Sequence, residues 1–181
     1  MVVLVDSPTS KGLLTIDLVK LIPKSKVEII DVEHFMGGAP LVKESIFRKE
    51  LHDIDFSRFT NTLVGFSNRE GHILPQWASI LLAVKFEQNN VWTTWADSKE
   101  TLYNQWLLEH LAMWDTSPYV NARVSIKGCA EVTLSAKVYM AYARKLLRIA
   151  KVVSFGEKCA LVPISKDVSL ISSIVEKPSA T

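Results

Sequence analysis

Four short runs rich in β-branched and aromatic residues, at 62–67, 91–95, 122–127 and 151–155, punctuate the later two-thirds of this chain. Polar turn residues bound each run, which is the signature of a short buried strand. Between them lie three segments of helical length. Parallel strands need long crossovers where antiparallel ones need only a turn, so the alternation predicts parallel neighbours. The expected architecture is a single α/β domain of three layers. It has a mainly parallel central sheet holding all four runs, helices on both faces, and an N-terminal β extension.

The intervening segments carry helical periodicity. After Pro75, a residue suited to the first helical position, come Trp77, Ala78, Ile80, Leu81, Leu82, Ala83 and Val84. They are apolar almost all round, which predicts a deeply packed helix. A second helix opens at Asp97 with Glu100 three residues on, a carboxylate form of the capping box. It carries Leu102, Trp106 and Met113 along one side. In the third, Ala136, Tyr139, Met140, Ala143, Leu146, Leu147 and Ala150 share a side, with Lys137, Arg144 and Arg148 opposite. Ala143 and Leu147 are therefore expected to be buried and the basic stripe solvated.

The first sixty residues read differently. Partial alternation over 12–22, then the turn Pro23-Lys24-Ser25-Lys26 into 27–30, predicts a hairpin at the sheet edge. Gly37-Gly38-Ala39-Pro40 is a loop, and Ile46, Phe47, Leu51 and Ile54 mark a short helix over 43–54. After Pro163 the pattern fades until an apolar stretch at 168–175, placed to pack back or to pair with another chain. The domain is read as 1–181, with a core of about 10–166 and an extension over 167–181.

Composition narrows the function classes. The 181 residues are 48% hydrophobic and 22% charged, ordinary for a globular protein. A net charge of +2 gives no basic face for nucleic acid. No run approaches the ~18 apolar residues of a membrane span. The apolar start at Met1 has no basic residues before it and is too short for a signal peptide. A cytoplasmic protein without nucleic-acid or membrane partners is expected. In that setting two cysteines read as free thiols or metal ligands.

Those cysteines, Cys129 and Cys159, each follow a strand-like run and a glycine. If the runs at 122–127 and 151–155 are neighbours, both thiols stand at one sheet edge. There they suit a soft metal, zinc or iron, given a further ligand such as His72 or Glu70. Lys127, Lys158 and Arg69 would favour the thiolate. The plainer alternative is two small buried apolar side chains, since the spacing is not C-x-x-C.

Ser67 ends a strand before a helix, as in a nucleophile elbow. That motif needs glycine where Arg69 stands and a late histidine, and no histidine follows His110. A serine bonded to local backbone is the simpler reading. Ser67, Asn68 and Arg69 could instead cradle an anion at the start of the Pro75 helix. Against that stands an ordinary polar loop. No glycine-rich nucleotide fingerprint occurs anywhere. His34, His52 and His110 read as structural or surface residues, and the five tryptophans as core or interface.

Several stretches resemble a known family. They are Ile126-Lys127-Gly128-Cys129, the helix with Tyr139 and Arg144-Lys145-Leu146, and the run from Phe155-Gly156-Glu157-Lys158-Cys159 to Pro163. Gly12-Leu13-Leu14-Thr15-Ile16-Asp17-Leu18 and Ile73-Leu74-Pro75-Gln76-Trp77-Ala78 are further landmarks. Over about residues 10–166 the chain resembles an uncharacterised bacterial family, domain of unknown function number 2480. The resemblance implies a bacterial protein and an association with iron–sulfur assembly genes, but no reaction. Typical members read Cys-Ser-x-Asp-Ala before the position of Ile73; here the loop is Phe66-Ser67-Asn68-Arg69-Glu70-Gly71-His72. The expected function is an accessory or binding role at the thiol edge, with a protein partner or a second copy. The competing class is an enzyme on a small anionic substrate, using Ser67, Asn68, Arg69, Glu70 and His72, with Cys129 or Ser67 as nucleophile.

Overall fold

The computed structural model describes residues 12–128, 132–157 and 160–165. Its elements run β1 (Leu13–Ile16), β2 (Lys26–Asp31), α1 (Glu44–His52), β3 (Thr62–Ser67), α2 (Gln76–Glu87), β4 (Thr93–Trp95) and α3 (Lys99–His110). Then follow β5 (Arg123–Ile126), α4 (Ala136–Leu146), β6 (Val152–Phe155) and β7 (Val162–Ser165). The fold class is α/β, with parallel strands joined through helices. The extension over 167–181, including the apolar stretch at 168–175, lies outside the described residues.

The expected single sheet is replaced by two. One has the order β2-β3-β4 and is wholly parallel; the other has the order β1-β5-β6-β7 and is parallel except at its last pair. The reason is the N-terminal chain. Its two segments do not form a hairpin: β1 pairs with β5 and β2 with β3, each in parallel. Strand character over 12–22 stops at Ile16, because the Asp17 carboxylate accepts the Val19 N–H at 3.1 Å and starts a 3₁₀ turn over Leu18–Leu21. The chain divides into two compact units. Lys24–Gln105 forms one, and the described residues before and after it form the other.

In the Lys24–Gln105 unit, Thr62, Val64 and Phe66 share one face of the central strand β3 by the period of two. Val64 and Phe66 join a core with Phe47 and Leu51 of α1 and Ala78, Leu82 and Phe86 of α2. A helix laid against one sheet face can bury only one stripe. Ile80 and Val84 therefore stay 63% and 45% exposed, and α2 is not packed all round as its composition predicts. Pro75 caps α2 from outside its first turn. The cap of α3 also moves one residue: the Ser98 hydroxyl accepts the Thr101 N–H at 3.2 Å, while Asp97 accepts the Thr101 hydroxyl.

In the second unit α4 crosses from β5 to β6. Its buried stripe is Val138, Tyr142 and Leu146; of the expected side Leu146 and Ala150 are buried, Ala143 and Leu147 are half-buried and Met140 is 54% exposed. The stripe is turned by about one residue, and Tyr142 accounts for the difference. Its ring packs 5.0 Å from Trp114, and its hydroxyl donates to the Leu107 carbonyl at 3.1 Å, so a polar-tipped residue takes the centre of the interface. Lys137, Arg144 and Arg148 are exposed as expected. Lys145 donates to the Leu111, Ala112 and Trp114 carbonyls beyond the end of α3, the favoured place for a cation. Met113, beyond that end, is exposed.

Candidate functional site

In open parallel sheets ligands gather at the carboxyl ends of strands, most often where the strand order reverses. The parallel runs β2-β3-β4 and β1-β5-β6 contain no reversal. The strand ends themselves are left as the places to search.

At the carboxyl end of β1-β5-β6, one charged residue follows each strand: Asp17, Lys127 and Glu157. The Lys127 ammonium lies 3.3 Å from Asp17 and 3.5 Å from Glu157, bridging the three strand ends. Its hydrogen bond to Asp17, aided by the charges of both carboxylates, raises its pKa and holds it cationic. Beneath it Ser125 is fully buried and donates to the Gly156 carbonyl at 2.6 Å. Two glycines let this end close up. A Cβ on Gly128 would lie 2.7 Å from the Phe155 ring. Gly156 sits at φ +103°, and its Cβ would lie 2.4 Å from the Ala160 carbonyl oxygen. Cys129 directly follows the first glycine and Cys159 lies three residues past the second. Both thiols, and Lys158, fall outside the described residues.

At the carboxyl end of β2-β3 a different network forms. Asp31, last in β2, pairs with Ser67, last in β3. Its carboxylate accepts the Ser67 hydroxyl and the Arg69 N–H, each at 3.0 Å, and the Glu33 N–H at 3.1 Å. Ser67 thus bonds a neighbouring carboxylate, and its side chain is buried at 3% exposure. Asn68 folds the loop on itself, donating to the His72 carbonyl at 2.8 Å and accepting its N–H at 2.9 Å. His72 Nε2 is buried without a hydrogen-bond partner. Two donors of the expected anion loop, from Ser67 and Arg69, are already spent on an internal anion. Ser67, Asn68, Arg69 and His72 stand together in the Lys24–Gln105 unit, whereas the strands before Cys129 and Cys159 belong to the other. Among the described residues no group of three or more His, Cys, Asp or Glu is arranged to hold a metal.

Burial pushes the pKa of Asp31 up, but the Arg69 and Glu33 N–H groups, the Ser67 hydroxyl and the Arg69 charge together pull it below the ordinary carboxylate value. The Asp31–Ser67 pair is an internal, hydrogen-bonded anion. It is a stabilising device with a definite pH dependence. Because the folded-state pKa lies below the unfolded one, the stabilisation is complete above about pH 4 and is lost as pH falls through the folded value. Asp31→Asn is therefore expected to flatten the loss of stability below about pH 4 in urea unfolding. An acid limb as steep as the wild type's would remove Asp31 from this role.

Sequence reasoning missed Asp17 and Asp31, and a signal for them exists. Ile16-Asp17, Ile30-Asp31 and Ile54-Asp55 repeat one pattern, a β-branched residue and then an aspartate that accepts the N–H two residues on. Such local capping by aspartate is what ends an extended segment in a turn.

A family comparison finds a match over most of the chain. The model of the family described as Protein of unknown function (DUF2480) covers residues 4–167. No curated protein and no solved structure matches the chain.

Proposed function

The chain belongs to this family of unknown function, and we propose a cytoplasmic accessory protein, bacterial by the family resemblance, that binds at the carboxyl end of β1-β5-β6. The ligand proposed is a soft metal ion, zinc or iron, held for or passed to a protein partner. The observation that carries the reading is the direct parallel pairing of β5 with β6, Ile126 opposite Phe155. The segments leading to Cys129 and Cys159 therefore leave the sheet from adjacent strand ends. Lys127, at the end of β5, lies between Asp17 and Glu157, so the three strand ends meet in one charged cluster. Two thiolates require one or two more ligands. In addition to the candidate ligand His72, Glu157, 47% exposed at this same end, is proposed as an oxygen donor. The connection to iron–sulfur assembly rests on the family resemblance alone. Charge balance and the lack of a basic run support no nucleic-acid partner. Among the described residues no helix is long and apolar enough to cross a membrane.

The test is elemental analysis of protein purified without a histidine tag, joined to thiol labelling. Retained zinc or iron is expected, lost in Cys129→Ser and in Cys159→Ser, with thermal unfolding of both variants still cooperative. Metal-free protein whose thiols stay unreactive until denaturation would overturn the reading. One observation favours a second reading, an enzyme on a small anionic substrate at residues 67–72: the unpartnered His72 Nε2. It requires His72→Gln to abolish binding of a small anion such as phosphate in calorimetry. The commitment of the Ser67 hydroxyl to Asp31 weighs against it.

A further inference from the structure

A cleft of about 460 Å³ opens beside β2, in the range of ligand-binding clefts. One wall is Glu28, Ile29, Ile30 and Asp31. Side chains alternate across a strand, so a cleft that meets four consecutive residues meets the strand along its edge, not on a face. Among the described residues β2 is an edge strand, paired with β3 alone. The Lys26 N–H donates to the Asn61 carbonyl next to β3, which turns the backbone of Lys26, Glu28 and Ile30 inward. The N–H and C=O groups of Val27, Ile29 and Asp31 fall on the outward phase, where no ladder bond is made. A row of such groups is the template on which an extended peptide adds as a strand.

Charge selects the occupant. The opposite wall brings Glu50, Asp53 and Asp55, and the one cation from it, Arg58, is already paired with Glu28. Glu50 and Asp53 stand at the C-terminal end of α1, where the helix dipole disfavours carboxylates. Neither side-chain carboxylate has a hydrogen bond or ion pair among the described residues. The local fold gains nothing from them there. Ile54 and Phe59 add apolar contact between the charges.

We infer that this cleft receives an extended basic segment of a partner protein. The segment lies along β2 as an added strand, and its Lys or Arg side chains, all on one face of that strand, meet Glu50 and Asp53. The inference is independent of the thiol-edge reading, since every residue it uses lies in the Lys24–Gln105 unit.

The test uses the full chain and fluorescence anisotropy with a labelled peptide of alternating Lys and Val. Its comparisons are the Glu-Val counterpart, a Lys-Val peptide N-methylated at alternate backbone amides, and spermine as competitor. Binding of the Lys-Val peptide is expected, weakened by salt, with slower hydrogen exchange across 27–31. Glu50→Gln with Asp53→Asn should weaken it about tenfold, as two partly exposed ion pairs would. Thermal unfolding of that double variant should match or exceed wild type. The Glu-Val peptide should not bind, and the N-methylated peptide should bind far more weakly than its parent. No binding by the Lys-Val peptide would overturn the inference. So would equal binding by the N-methylated peptide, or full displacement by spermine, since either would mean a simple cation site with no strand addition.

Discussion

Phe86→Ala is expected to cost about 3–5 kcal/mol of unfolding free energy, measured by urea denaturation at neutral pH. Phe86 is fully buried on α2, and its ring meets three others, Phe56 at 5.1 Å, Phe59 at 5.2 Å and Phe66 at 5.1 Å. Two of these contacts are edge-on, the geometry in which aromatic pairs add to simple area burial. Phe66 belongs to the central strand and Phe56 and Phe59 to the turn leading into it, so the ring ties helix, turn and strand together. Truncation leaves a cavity among these elements, which relax into it only in part. Against a typical total stability of about 5–15 kcal/mol, the variant should be close to unfolding at ordinary temperature. A loss below about 1 kcal/mol would mean that this aromatic cluster is not the core of its unit.

Leu146→Ala is the matching expectation for the second unit, with a loss of about 2–5 kcal/mol. Leu146 is fully buried on the stripe with Val138 and Tyr142, and its carbonyl accepts the Ala150 N–H at 2.8 Å as the chain turns toward β6. Leu147→Ala should cost clearly less, because Leu147 is half-buried. Arg148→Ala, on the exposed side, should stay within about 0.5 kcal/mol of wild type. Equal losses at 146 and 147 would show the helix rotated back to the phase read from the sequence.

That helix shows where sequence patterning runs out. Its existence and its charged face were legible, because Lys137, Arg144 and Arg148 recur at helical spacing. Its phase was not. Tyr139 and Tyr142 offer the same apolar area to a periodicity argument. In the fold Tyr142 takes the buried place, where its hydroxyl donates to the Leu107 carbonyl. Likewise, α2 has apolar residues on every side, so its sequence could not say which stripe the sheet would cover.

For the candidate sites the division is similar. Lys127, Gly128 and Gly156 were marked by strand endings, a local signal. Asp17 and Asp31 carry a local turn signal, but their partners Lys127 and Ser67 are brought to them only by pairing between strands distant in the chain. Local chemistry determined the α/β class and placed all four central strands to within two residues at either end. The parallel sense of their pairing followed, because crossovers long enough for helices are written in the spacing of polar and apolar positions. Tertiary structure alone decided that these strands divide between two sheets. Which strand neighbours which depends on the partner each exposed edge finds. β1 and β2, which read from the sequence as one hairpin, each found a different one.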